Sequence, residues 1–462
     1  MSINITQNLW AALKAPFERR RESAADVDLI DQSFGNGYQR SYWDGTNTNE
    51  MFVHGVDTDG AIRIGDDVLK PNRSQVTVHL YPNANLVTQA FFVNPTPHKL
   101  YITSAQFVAT TVGTVAGATA DITHETQIGG LMQAAGTGKT VLSAKFGIST
   151  TATAETVQVA GLASPLVRAT YNTSVANATP GAGVIVLQPG DSLSIKFSGT
   201  LTTLVGLTIS LGVAPGSKYS FVSYYLATAA SAATISLCTS LRKRTLLYGA
   251  ELHQVAGTDP GAVTLTLTKD ATATAPGAGT AMLASTVNLK STALTYNQLS
   301  LSATAANLAL ISTDSVAVKV AGTTTALAGV LVTLAFDGKP GEVWLNYNSA
   351  NSTVGTDEEF WIADRDYIIT QDSGKWSATG TSNFASLTID TGTQTPSTGQ
   401  VVSTLNTNKG FDTTGSINAP VFDTLAALNT RYIKAGDRIG IHNQGTTGAL
   451  AGLQLSALLS CN

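Results

Sequence analysis

The chain has 462 residues, room for about three domains of ordinary size. Charged residues make up 13% of it and the net charge is −4, about half the usual share of charge with no basic excess, which excludes a general nucleic-acid binder. The two cysteines, Cys238 and Cys461, lie too far apart in sequence for a disulfide framework or a thiolate metal site, and the long Thr, Ser, Ala and Gly stretches predict a surface solvated by hydroxyls.

Residues 5 to 28 place Leu9, Leu13 and Phe17 on one helical face beside Trp10, with Pro16 interrupting, followed by Arg19, Arg20 and Arg21. An apolar run before a basic run is the reverse of a secretory signal, so no signal-directed export is expected. The segment reads as a helix packed on the first domain or as an arm that docks on a partner; these seven apolar and basic residues are the candidate contacts. A Gly, Tyr and Asn-rich stretch follows from Phe34 to Asn49. Asp57 and Asp59, with Asp66 and Asp67 beyond, offer oxygen ligands of the calcium type, but no Glu closes a twelve-residue loop, and a turn between strands is the simpler reading.

Gly136-Thr-Gly-Lys-Thr140 resembles the end of a phosphate-binding loop, yet that motif needs Gly at position 133, where Gln133 stands. A surface turn is expected. The segment Tyr219 to Leu241 is uncharged but rich in Ser and Thr, which favours a linker and a first strand over a membrane span.

A repeat organises the rest. Asp191, Gly199, Thr200, Leu204 and Gly206 recur as Asp314, Gly322, Thr323, Leu327 and Gly329, and again as Asp437, Gly445, Thr446, Leu450 and Gly452, at a constant spacing of 123 residues. Between these markers Leu193, Ile195 and Phe197 alternate with polar residues, as do Val316, Val318 and Val320, the period of a half-buried strand. Each copy is thus expected to end in two strands joined by a loop. The third has Asn443 where the others have Phe197 and Val320, so its first strand should be frayed or specialised there. Upstream, Gly117-Ala-Thr-Ala-Asp-Ile in the first copy implies an insertion of about 21 residues within Thr126 to Ala178. Pro215-Gly-Ser-Lys218 and Lys339-Pro-Gly341 punctuate the boundaries.

The expected architecture is all-β: three tandem β-sandwich, jelly-roll-like domains (85–214, 219–338 and 342–462) after a short helical and extended N-terminal arm (1–84). The shared Asp and Gly residues are read as architectural, Asp closing the turn into a strand in every copy.

Asp357, Glu358, Glu359, Asp364 and Asp366 beside Phe360, Trp361 and Tyr367 have the composition of a glycosidase site, but their clustering at the start of one repeat favours a solvated edge or a subunit contact. The six histidines (His54, His79, His98, His124, His253, His442) show no metal-binding spacing, and no Gly-x-Ser-x-Gly elbow occurs. No catalytic residue, cofactor or metal is expected.

The turn Asp191-Ser-Leu-Ser-Ile, then Gly199-Thr and Leu204-Val-Gly-Leu with a closing apolar strand, in Thr and Ala-rich surroundings, resembles β-sandwich domains of structural proteins in tailed bacteriophages, particularly auxiliary head proteins that decorate or cement the capsid. The resemblance covers roughly residues 85 to 462. It implies a virion location on the capsid surface, the major capsid protein as partner, and assembly as a homo-oligomer such as a trimer, without nucleic acid, membrane or catalysis. The alternative it leaves open is a head-fibre or tail protein that binds host-surface glycan through Tyr38, Tyr42, Trp43 and Trp361.

Overall fold

A computed structural model describes residues 88–114, 117–142, 144–149, 154–160, 185–201, 204–214, 219–228, 233–258, 260–322, 326–339, 341–349, 357–379, 381–403, 410–414, 417–446 and 450–461, together with strands between residues 30 and 80. Ahead of the repeats lie two small antiparallel sheets. One joins Ile30–Phe34, Gly37–Trp43 and Thr48–Asn49; the other joins Gly55–Val56, Ile62–Ile64 and Asp67–Val68. The Gly and Tyr-rich stretch thus forms a hairpin. The candidate contacts from Leu9 to Arg21, and Asp57, Asp59 and Asp66, lie outside the described residues.

The first repeat contains β1 (Ser74–Leu80), β2 (Gln89–Val93), β3 (Leu100–Thr111), β4 (Thr119–Glu125), β5 (Ser192–Ser198) and β6 (Val205–Ala214). The second contains β7 (Tyr219–Thr228), β8 (Ala233–Thr239), β9 (Arg244–Val255), β10 (Thr264–Asp270), β11 (Ser315–Ala321) and β12 (Ala328–Asp337). The third contains β13 (Glu342–Asn348), β14 (Glu358–Ile362), β15 (Tyr367–Lys375), β16 (Thr381–Asp390), β17 (Arg438–Thr446) and β18 (Gln454–Cys461). Each repeat forms two five-stranded antiparallel sheets in the same order. In the first, β1-β6-β3 is one sheet and β2-β5-β4 the other, with two short strands completing each by pairing with β3 and β4. The others repeat this as β7-β12-β9 with β8-β11-β10, and β13-β18-β15 with β14-β17-β16.

Strand β1 lies ahead of the boundary expected at 85. It pairs with β6 along its length, from Leu80 opposite Leu207 to Ser74 opposite Val213, and carries no repeat marker by which sequence could assign it. The extra length of the first repeat is divided. A hairpin of Gln127–Ile128 and Leu131–Met132 holds part of it, and most falls between the short strands Gln158–Ala160 and Val186–Leu187.

The alternation read from sequence buries one face of each strand. Leu193 and Ile195, Val316 and Val318, and Ile439 and Ile441 enter three separate cores, each of which draws side chains from both sheets of its repeat. The opposite faces are buried too. Ser192, Ser194, Thr208, Ser210, Ser315, Thr333 and Ser456 are all within 2% of complete burial, so these hydroxyls do not solvate the surface as composition suggested. The neighbouring repeat bonds Thr208, Ser210, Thr333 and Ser456. Strand β2 packs on β12, β8 on β18, and β14 returns to β6, so the repeats close into a ring around β1, β7 and β13, which touch one another.

Candidate functional site

The repeated Asp residues close equivalent turns. The amides of Gln188, Ile311 and Lys434 donate to the carboxylates of Asp191, Asp314 and Asp437 at 2.8, 3.0 and 2.8 Å, while the Asp amides donate back to the same residues' carbonyls. The Asp carbonyls accept from Asn94, Ser240 and Ala363, fixing the turn after the second strand to the turn before the fifth. His124 adds a 2.8 Å contact to Asp191 in the first copy.

The glycines behave less uniformly. Gly206, Gly329 and Gly452 all have φ near +60°, and Gly199 and Gly322 also adopt positive φ. Gly445 instead lies inside β17, opposite Asn383. The third copy is therefore not frayed at Asn443. The Asn443 amide donates to Asp357 at 2.8 Å and His442 contacts the same carboxylate at 2.8 Å, so the strand is extended rather than shortened.

The lookalike phosphate loop is occupied by its own protein. Gly136 donates its amide to Glu125 at 2.9 Å, Ser194 donates its hydroxyl to the same carboxylate at 2.7 Å, and Lys139–Thr140 is a short strand on β4. Burial pushes the Glu125 carboxyl above its ordinary value. Asp270 takes the equivalent place in the second repeat and accepts from the amides of Gly277 and Gly279.

The acid and aromatic cluster of the third repeat is dispersed. Glu358 accepts from the Tyr347 hydroxyl, Asp364 from Tyr367, Asp366 from Tyr432, and Glu359 from Arg438. Glu358 and Glu359 are buried, which corrects the expectation of a solvated edge, and Trp361 is wholly buried in the core and is no sugar platform. Tyr38, Tyr42 and Trp43 belong to a described strand whose side chains are not among those described.

The seams between repeats were not anticipated. The second strands β2, β8 and β14 are sheet edges, and an edge strand leaves amides without partners in its own sheet. In all three, one such amide meets a hydroxyl of the next repeat: Val93 to Thr333 at 3.2 Å, Thr239 to Ser456 at 3.0 Å, and Ile362 to Ser210 at 3.1 Å. The acceptors Ser210, Thr333 and Ser456 are spaced by 123 residues. A register shift precedes each donor, between residues paired with Leu193 and Ser194 in β2, at Ser236/Cys238 in β8 and at Glu359/Trp361 in β14. Such bulges re-aim the strand beyond them.

Around this shared bond the seams differ. Between the first and second repeats Ala90, Val93 and Met132 pack on Tyr225, Ala250, Leu252 and Leu331. Between the second and third, Thr239 also donates its hydroxyl to Gln454 at 2.7 Å, and Arg244 pairs with Glu342 at 2.7 Å under the Trp344 ring. Between the third and first, Thr208 donates to the Glu359 carbonyl at 2.6 Å and Gln106 to Ala363 at 3.0 Å. Arg438 there bonds Glu359, the carbonyls of Glu155, Gly392 and Gln394, and lies 4.0 Å from the Glu155 carboxylate. Burial raises the Glu359 carboxyl to about 9 and Asp390 to about 7, and raises Glu155 as well. Among the described residues no three His, Cys, Asp or Glu side chains are arranged to hold a metal ion.

No family model matches this chain, and no curated protein does. Among solved structures, the infectious bursal disease virus Gx strain aligns at 9% identity over 98% of this chain and 85% of its own, with a TM-score of 0.17. The VP2 subviral particle of that virus aligns at 8% identity over 100% and 87%, TM-score 0.16. PNGF-II aligns at 8% identity over 61% and 74%, TM-score 0.18. These likenesses are weak and carry no argument about this chain. No described helix is long and apolar enough to cross a membrane.

Proposed function

We propose that this chain is a non-enzymatic structural protein of a virus particle, built from three jelly-roll sandwiches. The observation that carries the reading is the strand order. Counting each pair of short strands as one interrupted strand gives eight per repeat, in sheet orders 1-8-3-6 and 2-7-4-5, the layout of a jelly roll. Capsid domains use that architecture, as do lectins and cupins. The domains run from about Ser74, Tyr219 and Glu342, the first strands of each repeat.

The sequence resemblance narrows the proposal to a tailed-phage decoration or cement protein on the major capsid protein. Three stiff modules in one chain suit that role, since linked sites raise avidity without stronger individual contacts. The chain has no need of a cofactor, metal or catalytic residue in this role, and its partners are capsid subunits and not nucleic acid. Imaging particles made with and without the protein tests the reading. It expects density on the head shell and earlier rupture on heating when the protein is missing; density confined to the tail, or particles of unchanged composition, would refute it.

A further inference from the structure

The seam that closes the ring holds three carboxyl groups and one guanidinium. Glu155 is 5% exposed, Glu359 2%, Asp390 0% and Arg438 1%. Among the described residues, both oxygens of Glu155, Oε2 of Glu359 and Oδ1 of Asp390 accept no hydrogen bond from an N–H or a hydroxyl. Glu155 and Glu359 are nevertheless close enough for each carboxyl to act on the other electrostatically. Two carboxylates can share a hydrogen bond only if one carries a proton. Arg438 can balance one negative charge. Fully ionised, the cluster would hold two uncompensated charges out of water, which is costly.

Among the described residues no second cation acts on the three acids. Repeat 1 faces the cluster with uncharged Gln106, Thr208 and Ser210, and the turn after β16 contributes the carbonyls of Gly392 and Gln394. Among the described residues, the other titratable groups around the cluster are Asp437, beside Arg438, and Asp357, bonded to His442 and partly exposed. Asp357 adds to the repulsion at Asp390. The register makes the cluster particular to this seam: Glu359 sits opposite Gly440 where the other repeats pair Ala90 with Ser194 and Ser236 with Ala317. Likewise Arg438 replaces Ser192 and Ser315.

We propose that the seam between the third and first repeats is a proton-dependent latch: two protons shared among Glu155, Glu359 and Asp390, with Arg438 balancing the remaining charge, keep the ring closed, and their release opens it there first. Burial, the leading cause at each group, holds the folded carboxyls above the ordinary values of 4.5 and 3.8. Groups with raised folded values contribute fully below their unfolded pKa, and the contribution is lost as pH rises through the folded ones, about 7 for Asp390 and about 9 for Glu359. The latch therefore weakens toward alkaline pH, by up to about tenfold per pH unit for each proton involved.

The three equivalent amides provide the test within one molecule. Hydrogen exchange followed by mass spectrometry, corrected for the intrinsic pH dependence, compares peptides spanning Val93, Thr239 and Ile362 between pH 6 and pH 9. Protection at Ile362 should fall by more than about tenfold while Val93 and Thr239 hold. Glu155→Gln, which fixes the uncharged form at one member, should flatten the pH dependence at Ile362. Equal loss at all three peptides, no loss at any, or an Ile362 response to added calcium in place of pH would each overturn the latch. None of these results depends on the protein being part of a virus particle.

Discussion

Asp314 illustrates how much one repeated residue does in this chain. Its carboxylate closes the turn on the Ile311 amide while its backbone carbonyl receives the Ser240 amide, so a single residue ties two turns together. Asp314→Ala strands the Ile311 amide and should lower the thermal midpoint, at a cost of about 1–3 kcal/mol; Asp314→Asn, which keeps an acceptor oxygen, should recover most of it in a melting experiment. Gly322 is constrained differently. Its φ is +103°, and a Cβ there would lie 2.0 Å from the Ala262 carbonyl oxygen. Gly322→Ala should therefore cost more than the roughly 1–2 kcal/mol of a left-handed backbone alone, read as a shift in denaturant midpoint larger than that of Gly329→Ala, whose added Cβ would lie 2.8 Å from side-chain carbons of Gln254 and not against backbone. Both positions stand out in the sequence because the residues recur at a fixed spacing. The seam cluster does not, because Glu155, Glu359, Asp390 and Arg438 come from four separate segments, and of the four only Glu359 belongs to a local cluster of acids.

At the scale of strands, alternation located the last hairpin of each repeat, since Leu193, Ile195, Val316 and Val318 fall on the core face. Two features escaped it. The interrupted strands are only two or three residues long, too short to set up a period, and β1 has no partner motif. The larger error concerned the hydroxyl faces. Ser192, Ser194, Thr208 and Ser210 alternate with apolar residues as a solvent-facing row would, yet small hydroxyls also pack closely and bond across a dry seam. Thr208 and Ser210 stand in a row without charge between Gly206 and Gly212, as a closely covered face allows. Thr333→Val keeps the shape of the seam while removing the acceptor for the Val93 amide. It should cost about 1–3 kcal/mol and raise exchange at the Val93 peptide without altering the one at Ile362.

For the molecule as a whole, the seams bury faces that an isolated repeat would expose. Tyr225, Ala250, Leu252 and Leu331 form one such apolar surface on the second repeat. Differential scanning calorimetry at pH 6 should accordingly record one cooperative transition rather than three, because losing any repeat uncovers both of its neighbours. Three resolved transitions would show that the seams contribute little. Sequence reading foresaw three similar units but arranged them in series, since a tandem order says nothing about whether the last unit returns to the first. That return depends on β14 meeting β6, a contact between residues about 150 positions apart.

A ring of three identical chains obeys two constraints that this one does not. Dilution pulls such a trimer apart by mass action, and every substitution appears in it three times over. Here the stoichiometry is written into the polypeptide, so closure is a unimolecular event at any concentration. Each seam is also free to diverge alone, which is how one came to be greasy, one to bury the Arg244–Glu342 pair, and one to carry acids. A threefold outline thus has three distinguishable sides, and a partner that recognises one of them fixes the rotation of the whole ring.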